Sequence, residues 1–242
     1  MNKPHEYPTT ANDPTMLRRD DAVFTYEHKA GPGTCNLDLL SYGVYKISPN
    51  GQSDNLFHND RETLLFSVEG KTEVTVEGQK FVLDYYDTLY IPLQTAYSLR
   101  NCGDVAARVV VCKALANKRH NLHYSSWKEI SQNEERIRHL DGKDVFLMFD
   151  VTEPDDRLIA GYTIYEPYTR AWPPHNHTDQ EEVYIFSKGN GAMEVYADEE
   201  TKTFVTSMDE GDAVAIPVLN FHPVFSQEEE LHFIWCIAGE RY

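Results

Sequence analysis

The chain has little that would place it in a membrane, in a disulfide-stapled scaffold or on nucleic acid. None of its apolar runs approaches the roughly 18 residues that a membrane-spanning helix requires. Its four cysteines, Cys35, Cys102, Cys112 and Cys236, are too few and too scattered for a disulfide framework, and none form a Cys-x-x-Cys pair. The opening stretch, from Met1 to Thr15, has no apolar core and does not read as a signal peptide. These absences predict a protein of the reducing cytoplasm. Positive charge is also scarce: 22 Lys and Arg stand against 39 Asp and Glu, a formal net charge of −17. Nucleic acid and anionic membrane surfaces are therefore poor partners for the molecule as a whole. An anionic substrate would need a local cation. Apolar residues are not scarce. At 41% hydrophobic and 12% aromatic, a chain of 242 residues can bury a sizeable core.

The pattern along the chain is one of short strands and turns. Thr72–Glu77 alternates and meets Gly78, a hairpin signal followed by Gln79–Leu83. Further β-branched and aromatic segments cover 88–91, 106–112, 145–149, 158–165, 182–186, 191–196, 202–206, 213–216 and 231–237. Short strands at regular spacing predict an all-β sandwich or barrel. Residues 116–143 are polar and charged, and Ser126–Glu129 resembles a helix start. This gives an expected organisation of 1–115, a linker with a short helix at 116–143, and 144–242. The outer parts repeat weakly. Tyr86–Pro92 aligns with Gly211–Pro217, and Phe66–Gly70 with Ile185–Gly189. On that register Tyr97 stands at the place of His222, and Thr63 at the place of Glu182.

The chemistry concentrates in Trp172–Glu182. His175 and His177 are two apart, so on a strand they point to the same side. Three imidazoles (His175, His177, His222) and one carboxylate make a cage for a divalent transition metal with room for a water or substrate. Zn, Mn, Fe, Ni and Co all suit it. Glu181 and Glu182 compete for the carboxylate role. Glu182 directly precedes the Val183–Phe186 strand, which leaves Glu181 facing away, where it could be solvated.

The second half resembles the cupin superfamily. His175, His177, Glu182 and Gly189 fall on its first motif, and Gly211, Pro217 and His222 on its second. Thr169, Leu219 and Ser226 depart from the motifs, at positions that mainly serve turns. Trp172–His177, Glu182–Tyr184 and Phe233–Glu240 resemble the uronate isomerase group, which includes 5-deoxy-glucuronate isomerase and 4-deoxy-L-threo-5-hexosulose-uronate ketol-isomerase. The resemblance implies a bicupin: two double-stranded β-helix (jelly-roll) barrels, the first degenerate and the second holding a metal, with zinc favoured. It also implies a homo-oligomer, dimer or hexamer, and a small sugar acid as substrate.

The expected activity is a metal-dependent aldose–ketose isomerisation of a uronate or deoxy-sugar acid. Tyr184 shares the inward side of Glu182 and is the candidate catalytic residue, to orient substrate or shuttle a proton; a buried structural tyrosine is the competing reading. Arg170 and Trp172 are the candidate substrate-binding pair, with Arg170 as a forked carboxylate donor. Glu166, Glu194 and His232 are further candidates for proton transfer, and Arg61 and Glu62 read as structural. The same ligand set could serve an iron-dependent dioxygenase, and a non-catalytic sugar-binding cupin is the third reading.

Overall fold

The computed structural model describes residues 23–171, 173–198, 200–202 and 204–239. The first half runs β1 (Phe24–Ala30), β2 (Leu40–Ile47), β3 (Arg61–Glu69), β4 (Thr72–Val76), β5 (Gln79–Leu83), β6 (Thr88–Ile91), β7 (Tyr97–Asn101), β8 (Ala107–Leu115) and β9 (His123–Ser125). A four-residue helix, α1 (Trp127–Ile130), follows. The second half runs β10 (Ile137–Leu140), β11 (Lys143–Phe149), β12 (Leu158–Tyr165), β13 (Gln180–Lys188), β14 (Gly191–Val195), β15 (Phe204–Met208), β16 (Ala213–Ile216), β17 (Val224–Ser226) and β18 (Leu231–Gly239).

These strands build two equivalent pairs of antiparallel sheets. One six-stranded sheet has the order β1-β2-β8-β3-β6-β9 and faces the three-stranded β5-β4-β7. The other has the order β10-β11-β12-β18-β13-β16 and faces β15-β14-β17. The segment expected as a linker with a short helix has that helix, α1, and also adds a strand to each large sheet: β9 extends the first at β6, and β10 extends the second at β11.

Period-2 alternation explains why the central strands read as unbroken apolar runs. Each large sheet is buried on both faces. Leu64 and Phe66 of β3, with Val183 and Ile185 of β13, join one apolar cluster that holds the two large sheets back to back. Between them, Leu65 and Tyr184 point the other way, into the cores shared with the small sheets. Each such side chain contributes roughly 1.5–3 kcal/mol when fully buried.

That alternation also separates Glu181 from Glu182. Glu181 turns toward the other half and is buried, not solvated as expected. Its carboxylate accepts the backbone N–H groups of Asp38 (2.5 Å), Leu39 (3.0 Å) and Leu40 (2.9 Å). Glu62 does the same in reverse, accepting from Asp156 (3.0 Å), Arg157 (2.7 Å) and Leu158 (3.0 Å), and from the Tyr90 hydroxyl (2.7 Å). Each half therefore lends a buried carboxylate to donors at the start of a strand in the other half, Glu181 to β2 and Glu62 to β12. Buried N–H groups need such partners.

Candidate metal centre

Residues His175 and His177 lie on the extended approach to β13, Glu182 on β13, and His222 on the turn between β16 and β17. The hydrogen-bonded register sets Glu182 opposite Ile216, which carries the chain through Pro217 into that turn. Leu219, where the cupin motif has glycine, takes a left-handed φ of +64°. Its N–H donates to the His177 carbonyl at 2.6 Å, so the turn is kept at the cost of a strained leucine and tied to the segment bearing His177.

One ligand atom from each of His175, His177, Glu182 and His222 lies within 4.8 Å of the others. Bonds of about 2.1 Å to one ion place its ligand atoms about 3–4 Å apart, so the group needs only a small contraction. His222 Nε2 is 3.0 Å from Glu182 Oε2 and 3.2 Å from His175 Nε2, and His177 Nε2 is 3.3 Å from Glu182 Oε2. His222 Nδ1 is 2.9 Å from the Asn220 carbonyl oxygen, which only a protonated Nδ1 can satisfy. When the ring is neutral, that arrangement turns the Nε2 lone pair toward the cluster. His177 Nε2 and Glu182 Oε2 are buried without a well-formed hydrogen bond. Buried atoms of this kind, converging with a free imidazole lone pair, fit a cation.

The electrostatics agree. Burial of the His175 ring, with His222 beside it, pushes its pKa down to about 4, so this imidazole is neutral at pH 7. Burial alone would raise the Glu182 carboxyl, but the His177 and His222 rings alongside outweigh it and hold it at about 2. For His177, burial opposes protonation and Glu182 outweighs it, leaving the pKa raised.

Among the other expected residues, Tyr184 is buried on the same face as Glu182, its ring centroid 5.5 Å from His222 and 4.6 Å from Phe233. Burial, and then the Glu182 charge, push its phenol far above the ordinary range, so its hydroxyl keeps its proton and can serve as a hydrogen-bond donor. Arg170 is exposed and sits over the Phe225 ring at 4.9 Å. Phe225 alternates with the buried Val224 and Ser226, so this contact lies on the outward side of β17. Trp172 lies outside the described residues. His232 is an interface residue, 3.0 Å from the Tyr86 hydroxyl of the other half. Glu194 pairs with Lys202 at 3.2 Å, and Glu166 is exposed.

The sequence reading missed Lys143. It opens β11 on the inward side shared by Val145 and Leu147, and its Nζ donates to the Tyr165 hydroxyl at 3.3 Å. Its charge helps to lower the His175 pKa, and the Glu182 charge helps to raise that of the buried Tyr165, so both residues lie within electrostatic reach of the cluster. No spacing from the histidines marks Lys143. Only the pairing of Lys143 with Tyr165 across two strands brings it there.

Paired antiparallel sheets with this cluster at one end define a cupin-like protein. Residues 16–242 match the KduI/IolB family, and the chain belongs to it. It is 26% identical over 198 residues to the 4-deoxy-L-threo-5-hexosulose-uronate ketol-isomerase of Bacillus pumilus (strain SAFR-032), covering 77% of this chain and 70% of that protein. Among solved structures, an IolB-like protein from Salmonella typhimurium superposes with a TM-score of 0.73 at 17% identity, covering 89% of each chain. Oxalate decarboxylase from Bacillus subtilis superposes with a TM-score of 0.71 at 14% identity, covering 93% of this chain and 75% of that one. At these identities the structures share the fold alone.

Proposed function

We propose that the protein is a metal-dependent ketol isomerase of a uronate or deoxy-sugar acid, acting in cytoplasmic carbohydrate breakdown. In this reading each large sheet closes with its small partner into a barrel, giving a bicupin of two domains, 1–115 and 144–242, joined by 116–143. The observation that carries the proposal is the convergence of His175, His177, Glu182 and His222 in a chain whose relatives include uronate ketol-isomerases.

A divalent ion held by these four residues, zinc in our reading, supplies a Lewis acid for a carbonyl and its neighbouring hydroxyl. Glu182 brings the only negative charge of the set, so the loaded site stays net positive and attracts an anionic sugar. Tyr184 remains protonated and donates its hydroxyl to orient the reacting oxygens. Lys143, with Tyr165 fixing its ammonium, meets the substrate carboxylate. Arg170, with Trp172 as its expected partner in substrate binding, meets substrate only by leaving Phe225. Like many β-rich proteins of two barrels, the chain is taken to assemble as a dimer or hexamer.

The test follows ketol interconversion of a panel of uronates and deoxy-sugar acids by zinc-loaded protein, with elemental analysis of the protein as purified. The proposal expects turnover of at least one panel member without oxygen consumption. Metal-loaded protein that turns over none would overturn it, and oxygen uptake with bound iron would establish the dioxygenase alternative. Lys143→Met is expected to raise KM for an acidic sugar about tenfold with a smaller change in kcat.

A further inference from the structure

The first half has its own mouth at the place equivalent to the metal centre, and its residues follow from the shared register. Thr63 pairs with Ile91 and Lys113 as Glu182 pairs with Ile216 and Ile237. The His58 carbonyl accepts from Gln94 N–H at 2.8 Å, as the His177 carbonyl accepts from Leu219. Leu56, His58, Thr63 and Tyr97 thus occupy the places of His175, His177, Glu182 and His222. Only the imidazole of His58 remains of a ligand set.

What lines this mouth instead is positive. A cleft of about 340 Å³ is bounded by His28, His58, Arg61 and Lys113, with Tyr26 and Ser41, and no carboxylate is among its lining residues. Lys113 is 8% exposed, and no described carboxylate lies within ion-pair distance of its ammonium, which instead rests 4.7 Å from the Tyr26 ring centroid. Arg61 Nη1 and His58 Nε2 are buried without hydrogen-bond partners. Asp60 approaches Arg61 only at 4.0 Å, and its side chain is 68% exposed. Burial, with Arg61 adding repulsion, lowers the Lys113 pKa to about 8, and burial with Lys113 and Arg61 lowers that of His58 to about 4.

Burying an ammonium without a counter-charge is costly, and an unpaired guanidinium nitrogen beside it adds to that cost. Water can complete hydrogen bonds to Arg61 and His58, but it brings no negative charge. The whole molecule is strongly acidic, so a cationic cleft within it is a local reversal of sign. The volume suits a small molecule.

We propose that this cleft is a second ligand site, which binds a small metabolite through a carboxylate or phosphate held by Arg61 and Lys113. Arg61 offers a forked donor, Lys113 a point charge from beneath, and His58 a ring nitrogen at the side. The site does not depend on the isomerase reading and needs no metal.

The experiment is calorimetric titration of the full chain at pH 7 and constant ionic strength with D-glucuronate, D-glucose 6-phosphate and neutral D-glucose. Wild type is compared with His175→Ala, Lys113→Met and Arg61→Gln. At least one anion should bind, bind equally to His175→Ala, and bind about tenfold or more weakly to Lys113→Met and Arg61→Gln. D-Glucose should give no heat. The stronger anion identifies the group recognised. The proposal is overturned if neither anion binds His175→Ala at millimolar concentration, or if both cleft variants bind as tightly as wild type. Should Lys113→Met fail to fold, Arg61→Gln, at the rim, decides alone.

Discussion

The two halves share the order of five strands in each large sheet, their register and their turn positions, yet one mouth gathers three imidazoles around a carboxylate and the other gathers cationic side chains around a cleft. The difference shows how little of the scaffold a site consumes. Glu182 against Thr63 and His222 against Tyr97 are exchanges at single interior positions, and the backbone around both pairs carries the same left-handed turn, with φ of +64° at Leu219 and +57° at Gln94. What both halves retain is the demand on the back of the sheet, where Glu62 and Glu181 cap each other's neighbours.

The largest effect expected is confined to one mouth. His222→Ala should lose bound metal and lower turnover by more than about a hundredfold, read by elemental analysis and steady-state kinetics. An unaltered turnover would place the chemistry elsewhere. The back of the sheets should break the asymmetry instead: Glu62→Ala and Glu181→Ala should each cost about 2–4 kcal/mol in urea unfolding, because each leaves one buried and two part-buried N–H groups without their acceptor. A large cost for one and none for the other would show that the two caps are not equivalent.

A pH effect should belong to the first half. The folded chain releases the Lys113 proton at about 8, whereas an unfolded lysine holds it to 10.5. The unfolded state then binds more protons between those values, so this group makes stability rise with pH, by at most about 3 kcal/mol. In Lys113→Met that increment should vanish from urea midpoints compared across pH 7–10. The smallest effect is that of Tyr97→Phe. It removes the hydroxyl contact with Tyr45 at 3.1 Å, costs about 1 kcal/mol in the same unfolding assay, and should leave turnover unchanged. A fall in turnover would mean that the first mouth communicates with the second.

Much of this was legible in the residue order. Alternation located most of the interior strands, and the repeat alignment of Thr63 with Glu182 and Tyr97 with His222 matches the observed pairing. The reading passed over β1, β2, β3, β7 and β17, and also β9 and β10, whose polar sequences are strands because a sheet edge offers them partners. Leu219 and Thr169 cast doubt on the turns only because a motif names a preferred residue, whereas the backbone around Leu219 holds its turn by hydrogen bonding.

By itself, the sequence determined the all-β class, the doubling of the pattern, and a candidate ligand set whose members lie close along the chain or on turns with fixed spacing. These follow from local periodicity, which is a property of consecutive residues. The tertiary structure decided that Glu181 serves the other half, that Lys143 comes within electrostatic reach of His175, and that Arg61, His58 and Lys113 converge on one cleft. Each of those depends on which strands pair and in what register, a choice made by the packed sheets and by no short stretch of chain.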